Sequence, residues 1–170
     1  LLRVPAAGGK PTPFGALSQG AIAQRWPQAL AGGKAVLYTE SPSVSIFDDA
    51  NIVAVAVPVD ASAKAGPAKV VVSSAYYGRY VESGHLLYIQ QGTLFAVPFD
   101  VQRLEVTGAP VPVIDRVSRL VNAGSAQIDV SANGTALYLA ENVADVQPMH
   151  WLTRDGRIEP LALQALDWSN

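Results

Sequence analysis

The sequence predicts an all-β chain, a β-propeller built of four-stranded antiparallel blades. Three observations predict it: a motif that recurs about every fifty residues, a glycine turn ahead of each copy, and weak helical periodicity throughout. The motif reads AGGKAVLY at 31–38, VESGHLLY at 81–88 and SANGTALY at 131–138, so that Leu37, Leu87 and Leu137 recur at equal spacing, as do Tyr38, Tyr88 and Tyr138. Glycine in each turn reaches positive φ without steric penalty, and Asn133-Gly134 is a favoured hairpin dipeptide.

Each copy is flanked by further short apolar runs. RWPQAL, YGRYV and AQIDV precede the turns. A run ending in Val-Pro follows at 55–58 and 94–98 and opens the chain as LLRVP, and a fourth run follows at 69–74, 109–114 and 157–163. Four antiparallel strands in a unit of this length form a propeller blade, which buries both faces against neighbours. Near-continuous apolar runs fit burial on both faces. The expected organisation is one partial propeller over 1–170: a half blade at 1–17, then blades at about 24–74, 76–114 and 125–163. The one helical candidate, GALSQGAIAQRW at 15–26, holds two glycines and runs into Pro27, so a loop leading into a strand is expected there.

Composition narrows the function. Of 170 residues 49% are hydrophobic and 15% charged, a globular balance, and the net charge of −2 disfavours a phosphate-binding surface, so no nucleic-acid partner is expected. Without cysteine the chain has no disulfide, thiolate zinc site or cysteine nucleophile, and no cofactor is expected. No apolar run approaches the ~20 residues that span a bilayer, so no membrane segment is expected. The chain starts at Leu1 and its single methionine is Met149, which reads as a piece of a longer protein.

The runs at 83–117, 125–141 and 150–163 resemble the TolB-type, WD-repeat-like propellers found C-terminal to a transmembrane helix in bacterial serine/threonine protein kinases. The Ser-Pro-Asp-Gly turn of that family survives only in altered form, as Ser131-Ala132-Asn133-Gly134 and Glu82-Ser83-Gly84. The resemblance implies an extracytoplasmic, periplasmic setting and a sensor or scaffold role. It does not carry kinase activity to this chain, which has no Gly-rich phosphate loop, His-Arg-Asp loop or Asp-Phe-Gly.

Catalytic groups are sparse. His85 occupies a turn slot that Lys34 and Thr135 fill in the other copies, and His150 precedes Trp151 at a strand start. Gly15 to Gly20 misses the nucleophile-elbow spacing by one residue. Asp48-Asp49 lies in the irregular stretch SPSVSIFDDAN, Asp100 follows a strand, and Asp155-Gly156 closes a hairpin. The positional candidates lie in the first strand of each repeat, which lines a propeller's channel: Trp26 and Gln28, Tyr77 and Arg79, Gln127 and Asp129. Residues two apart share a face of a strand, so each pair points one way. They are expected either to meet a polar or peptide-like ligand, or a protein, at the channel, or to pair between blades, as Arg79 with Asp129. The leading expectation is a non-catalytic binding module. The alternatives are a lactonase- or esterase-type propeller hydrolase and the gating propeller of a prolyl-oligopeptidase-like hydrolase. Open blade edges predict self-association.

Overall fold

The computed structural model describes residues 1–58, 65–141, 150–152 and 158–160, the last two segments as backbone only. The described residues are all-β, arranged as several antiparallel sheets, none of them closed. β1 (Leu2–Arg3) pairs with β2 (Thr12–Pro13). A four-stranded meander follows: β3 (Ala23–Leu30), β4 (Ala35–Ser41), β5 (Asn51–Ala56) and β6 (Lys69–Val72), each hydrogen-bonded to the next. The helical candidate is a turn, closed by Ala21 N–H on Ser18 O at 3.0 Å, and then the start of β3. A second meander comprises β7 (Tyr76–Val81), β8 (His85–Gln90) and β9 (Thr93–Asp100). Its outer edge is shared by β10 (Glu105–Val106) and β11 (Val111–Ile114), both paired with β9. Asp100 ends β9 by accepting the amides of Gln102 and Arg103 at 2.8 and 2.9 Å.

Shorter ladders follow. β12 (Arg119–Leu120) pairs with β13 (Ser125–Ala126), and β14 (Ile128–Val130) with β15 (Ala136–Tyr138). β16 (His150–Leu152) pairs with β17 (Ile158–Pro160). The end of the run at 157–163, Asp155-Gly156 and Met149 lie outside the described residues.

Strand alternation explains the packing. On β4, Val36 and Tyr38 face a core shared with Leu1 and Phe14 at the β1–β2 end, while Ala35 and Leu37 face the second meander. On β8, Leu86 and Tyr88 meet Leu37, Ile52 and Ala54 of the first meander, and Leu87 and Ile89 turn the other way, toward Val117, Ala126 and Ile128. Each meander is thus apolar on both sides and sits between neighbours. A buried Leu or Ile contributes ~1.5–3 kcal/mol, so these interlayer cores dominate the favourable side of folding. Within the recurring Leu-Tyr pairs, Leu and Tyr serve opposite faces.

One close approach sets the layer spacing. A Cβ on Gly78 would lie 2.7 Å from Ile52 Cγ2, closer than real atoms come. Gly78→Ala is expected to cost ~1–3 kcal/mol by forcing β7 away from β5, measured by urea unfolding. Leu37→Ala, in the same core and fully buried, is expected to cost ~2–5 kcal/mol.

Tyr38 is 1% exposed, and its hydroxyl meets no hydrogen-bond partner among the described residues. Burial, then the nearby Glu40 carboxylate, pushes its phenol up to about 12. The folded state therefore holds this proton more tightly than the unfolded chain does. Stability contributed by the neutral phenol is complete below pH 10 and is lost as pH rises through about 12. Tyr38→Phe is expected to raise stability at neutral pH by ~1 kcal/mol and to flatten this alkaline decline in a pH series of thermal melts.

Candidate functional site

The first strands of the two meanders share a departure from regular geometry. Between Arg25 and Gln28 on β3, and between Tyr76 and Arg79 on β7, the register against the next strand slips by one residue. Each slip is a β-bulge, and the residue that opens it has a left-handed backbone: Trp26 with φ 57° and Tyr77 with φ 57°. A bulky side chain rarely adopts this conformation, which costs ~1–2 kcal/mol. Its recurrence at equivalent positions of two repeats makes it a built feature. Gln127, the third equivalent, occupies a break between β13 and β14, where its amide donates to Ser118 O at 2.8 Å.

The bulges turn side chains toward the seams between sheets. The Trp26 and Tyr77 rings meet edge to face with centroids 5.7 Å apart, and the Arg79 guanidinium lies over the Tyr77 ring, 4.5 Å from its centroid. Arg79 Nη1 donates to Trp26 O at 3.0 Å, and Trp26 Nε1 donates to Ala123 O at 3.0 Å. Tyr77 N–H, which the bulge directs away from β8, donates to Thr39 Oγ1 at 3.0 Å, while Tyr77 Oη donates to Ile128 O at 3.4 Å. Gln28 acts as a backbone mimic: its Nε2 donates to Tyr80 O at 3.0 Å and its Oε1 accepts Tyr80 N–H at 2.8 Å.

Five of the six sequence candidates therefore converge. Gln28, Tyr77, Arg79 and Asp129 line one cavity of about 70 Å³ between β7 and β14, and Trp26 packs on its Tyr77 wall. Gln127 lines an adjoining open groove of about 400 Å³ with Tyr77, Asp129, Leu137 and Tyr138. The pairing of Arg79 with Asp129 does not occur. Arg79 is held by the Trp26 carbonyl and the Tyr77 ring, and the Asp129 carboxylate accepts the Val130 amide at 2.9 Å.

Sequence reasoning passed over three neighbours of this cluster. Phe47, within the irregular SPSVSIFDDAN stretch, is fully buried, with the Arg25 guanidinium 4.9 Å above its ring. A Cβ on Gly124 would run into that ring. Arg119 packs under Gly92 and donates to Tyr76 Oη at 3.4 Å; that bond is the chief reason its guanidinium holds its proton more tightly than usual. One aromatic in a Ser-rich loop was the available signal for Phe47; nothing local marked Arg119.

The other chemical candidates are local. His85 Nδ1 lies 3.1 Å from both Ser83 Oγ and Ser83 O within one exposed turn. Asp48 and Asp49 are exposed in a turn. His150 is in β16, whose side chains lie outside the described residues. Among the described residues no three His, Asp or Glu side chains gather as a metal-ligand set, and no helix is long and apolar enough to cross a membrane. Comparison with protein-family models, with curated proteins and with solved structures gives no match.

Gln28→Ala is expected to cost ~1–3 kcal/mol and to speed hydrogen exchange selectively at the Tyr80 amide, because both polar groups of the Tyr80 backbone lose this partner. Amide exchange by NMR reads this directly, with the β9 amides as the unchanged reference.

Proposed function

We propose that the chain is part of a β-propeller of the TolB or WD-repeat-like kind and serves as a non-catalytic binding module. In this reading β3–β6 and β7–β11 are blades, β1–β2 is the outer half of another, and β12–β17 belong to a further one. β3 and β7 are then inner strands, and the Trp26–Tyr77–Arg79–Asp129 cluster lies at the channel. The observation that carries the proposal is the recurrence of the left-handed bulge at Trp26 and Tyr77. Strain repeated at one position, on side chains gathered at a cavity, is where binding sites are commonly built.

The chemistry of the cluster selects the ligand class. Tyr138 offers an aromatic ring, Gln127 an amide and Asp129 a carboxylate, along a groove open to solvent. Arg79 is already engaged by protein groups, which leaves Asp129 as the charge facing the groove. Such a surface suits a peptide or small polar ligand carrying a cationic group, held by ring face and carboxylate together.

The test uses Trp26 as the reporter. With Trp151→Phe and Trp168→Phe in place, Trp26 is the sole indole. Titration with short Lys- or Arg-containing peptides is expected to change its fluorescence saturably, and Asp129→Asn is expected to weaken binding about tenfold, the effect of losing one charge-assisted contact worth ~1.4 kcal/mol. Equal responses to acidic and basic peptides, or none to either, would refute the proposal.

A further inference from the structure

Asn133-Gly134 is the one Asn-Gly pair in the chain, and it sits in the exposed turn between β14 and β15. An asparagine amide is open to attack by the main-chain nitrogen of the next residue, and the side chain of that residue hinders the approach. Asn51 and Asn142 precede the β-branched Ile52 and Val143, Asn122 precedes Ala123, and Asn133 precedes glycine, which has no side chain. Steric access therefore ranks Asn133 first.

The turn holds both reacting groups. Gly134 N–H, whose nitrogen would attack, donates to Ser131 O at 3.0 Å. Asn133 Oδ1, on the carbon it would attack, accepts Ser131 Oγ at 2.5 Å and the Thr135 amide at 3.2 Å. Ser131 Oγ in turn accepts the Thr135 amide at 3.1 Å. Ser131 thus holds the nitrogen through its carbonyl and the side-chain amide through its hydroxyl. Ring closure needs the N–H free to lose its proton and the side chain free to swing onto the nitrogen, and these bonds oppose both.

We infer that Asn133 is a deamidation site whose rate Ser131 controls. When the turn opens, Gly134 N loses its proton to solvent base and bonds to Asn133 Cγ. The Cγ–Nδ2 bond breaks, and the amide nitrogen takes up a proton and leaves as ammonia. Water then opens the cyclic imide at either of its carbonyls, leaving aspartate or an isoaspartyl linkage at this position. Water enters and ammonia leaves; nothing is oxidised or reduced. Asn133 lines a groove of about 280 Å³ with Asp129, Thr135 and Leu137, so either product adds a second carboxylate there. The isoaspartyl form also lengthens the main chain within the turn that sets the pairing of Val130 with Ala136. The inference stands whether or not a ligand occupies the Tyr77–Asp129 groove.

Peptide mass spectrometry of the 170-residue chain, sampled during incubation at mildly alkaline pH, tests it. Asn133 is expected to convert before Asn51, Asn122 and Asn142, and to convert more slowly in the folded chain than in urea. Ser131→Ala, at an exposed position, is expected to speed conversion of Asn133 in the folded chain about fivefold, the effect of losing one hydrogen bond. Asn122, in the exposed turn between β12 and β13, is the internal reference: its rate is expected to stay the same in the variant, which separates opening of one turn from loss of the fold. Earlier conversion of another asparagine, equal rates in the folded chain and in urea, or a Ser131→Ala rate at Asn133 equal to that of the unsubstituted chain overturns the inference. So does an acceleration that Asn122 shares.

Discussion

Every other feature of this molecule depends on one constraint: its meanders are apolar on both faces, so a sheet is stable only between two neighbours. A half-buried sheet alternates apolar and polar residues and leaves one side to water. Here the runs Ala35–Tyr38 on β4, Ile52–Val55 on β5 and Leu86–Ile89 on β8 are unbroken apolar residues, and alternation decides which core each residue enters rather than whether it enters one. Layer stacking follows, and with it the need for close registration between layers.

Registration is supplied at the first strand of each meander. The bulges at Trp26 and Tyr77 rotate the strand so that its polar groups reach across the seam. Gln28 then bonds the Tyr80 backbone, Arg79 the Trp26 carbonyl, and the Tyr77 amide Thr39. Gly78, beside the second bulge, admits Ile52 where any side chain would separate the sheets. The left-handed strain is offset by these bonds and by the interlayer burial they align. The cavity that Tyr77, Arg79 and Asp129 share opens beside the second bulge, between β7 and β14.

Much of this was legible in the sequence because the repeat is strong. The equal spacing of Leu37, Leu87 and Leu137, with a glycine turn before each, located β4, β8 and β15 and their antiparallel partners. The grouping of Trp26, Gln28, Tyr77, Arg79 and Asp129 was also foreseeable, because equivalent positions of stacked repeats fall in register. What was not legible came from interactions between layers. No local pattern announces that Trp26 and Tyr77 adopt positive φ, that Phe47 folds under Arg25, or that Arg79 prefers a carbonyl and a ring to Asp129. The exposure of Leu137 was hidden for the same reason: it shares the glycine turn and Leu-Tyr pair of Leu37, while its surroundings differ.

The central claim is that the first two meanders stack face to face with β5 against β7. Nuclear Overhauser spectroscopy on methyl-labelled protein tests it most directly. The account predicts a strong cross-peak between the Ile52 γ2 methyl and the Gly78 α protons, residues of different sheets that the stacking brings into contact. If the Ile52 methyl shows cross-peaks only to residues of its own meander, the sheets do not stack in this way and the account fails.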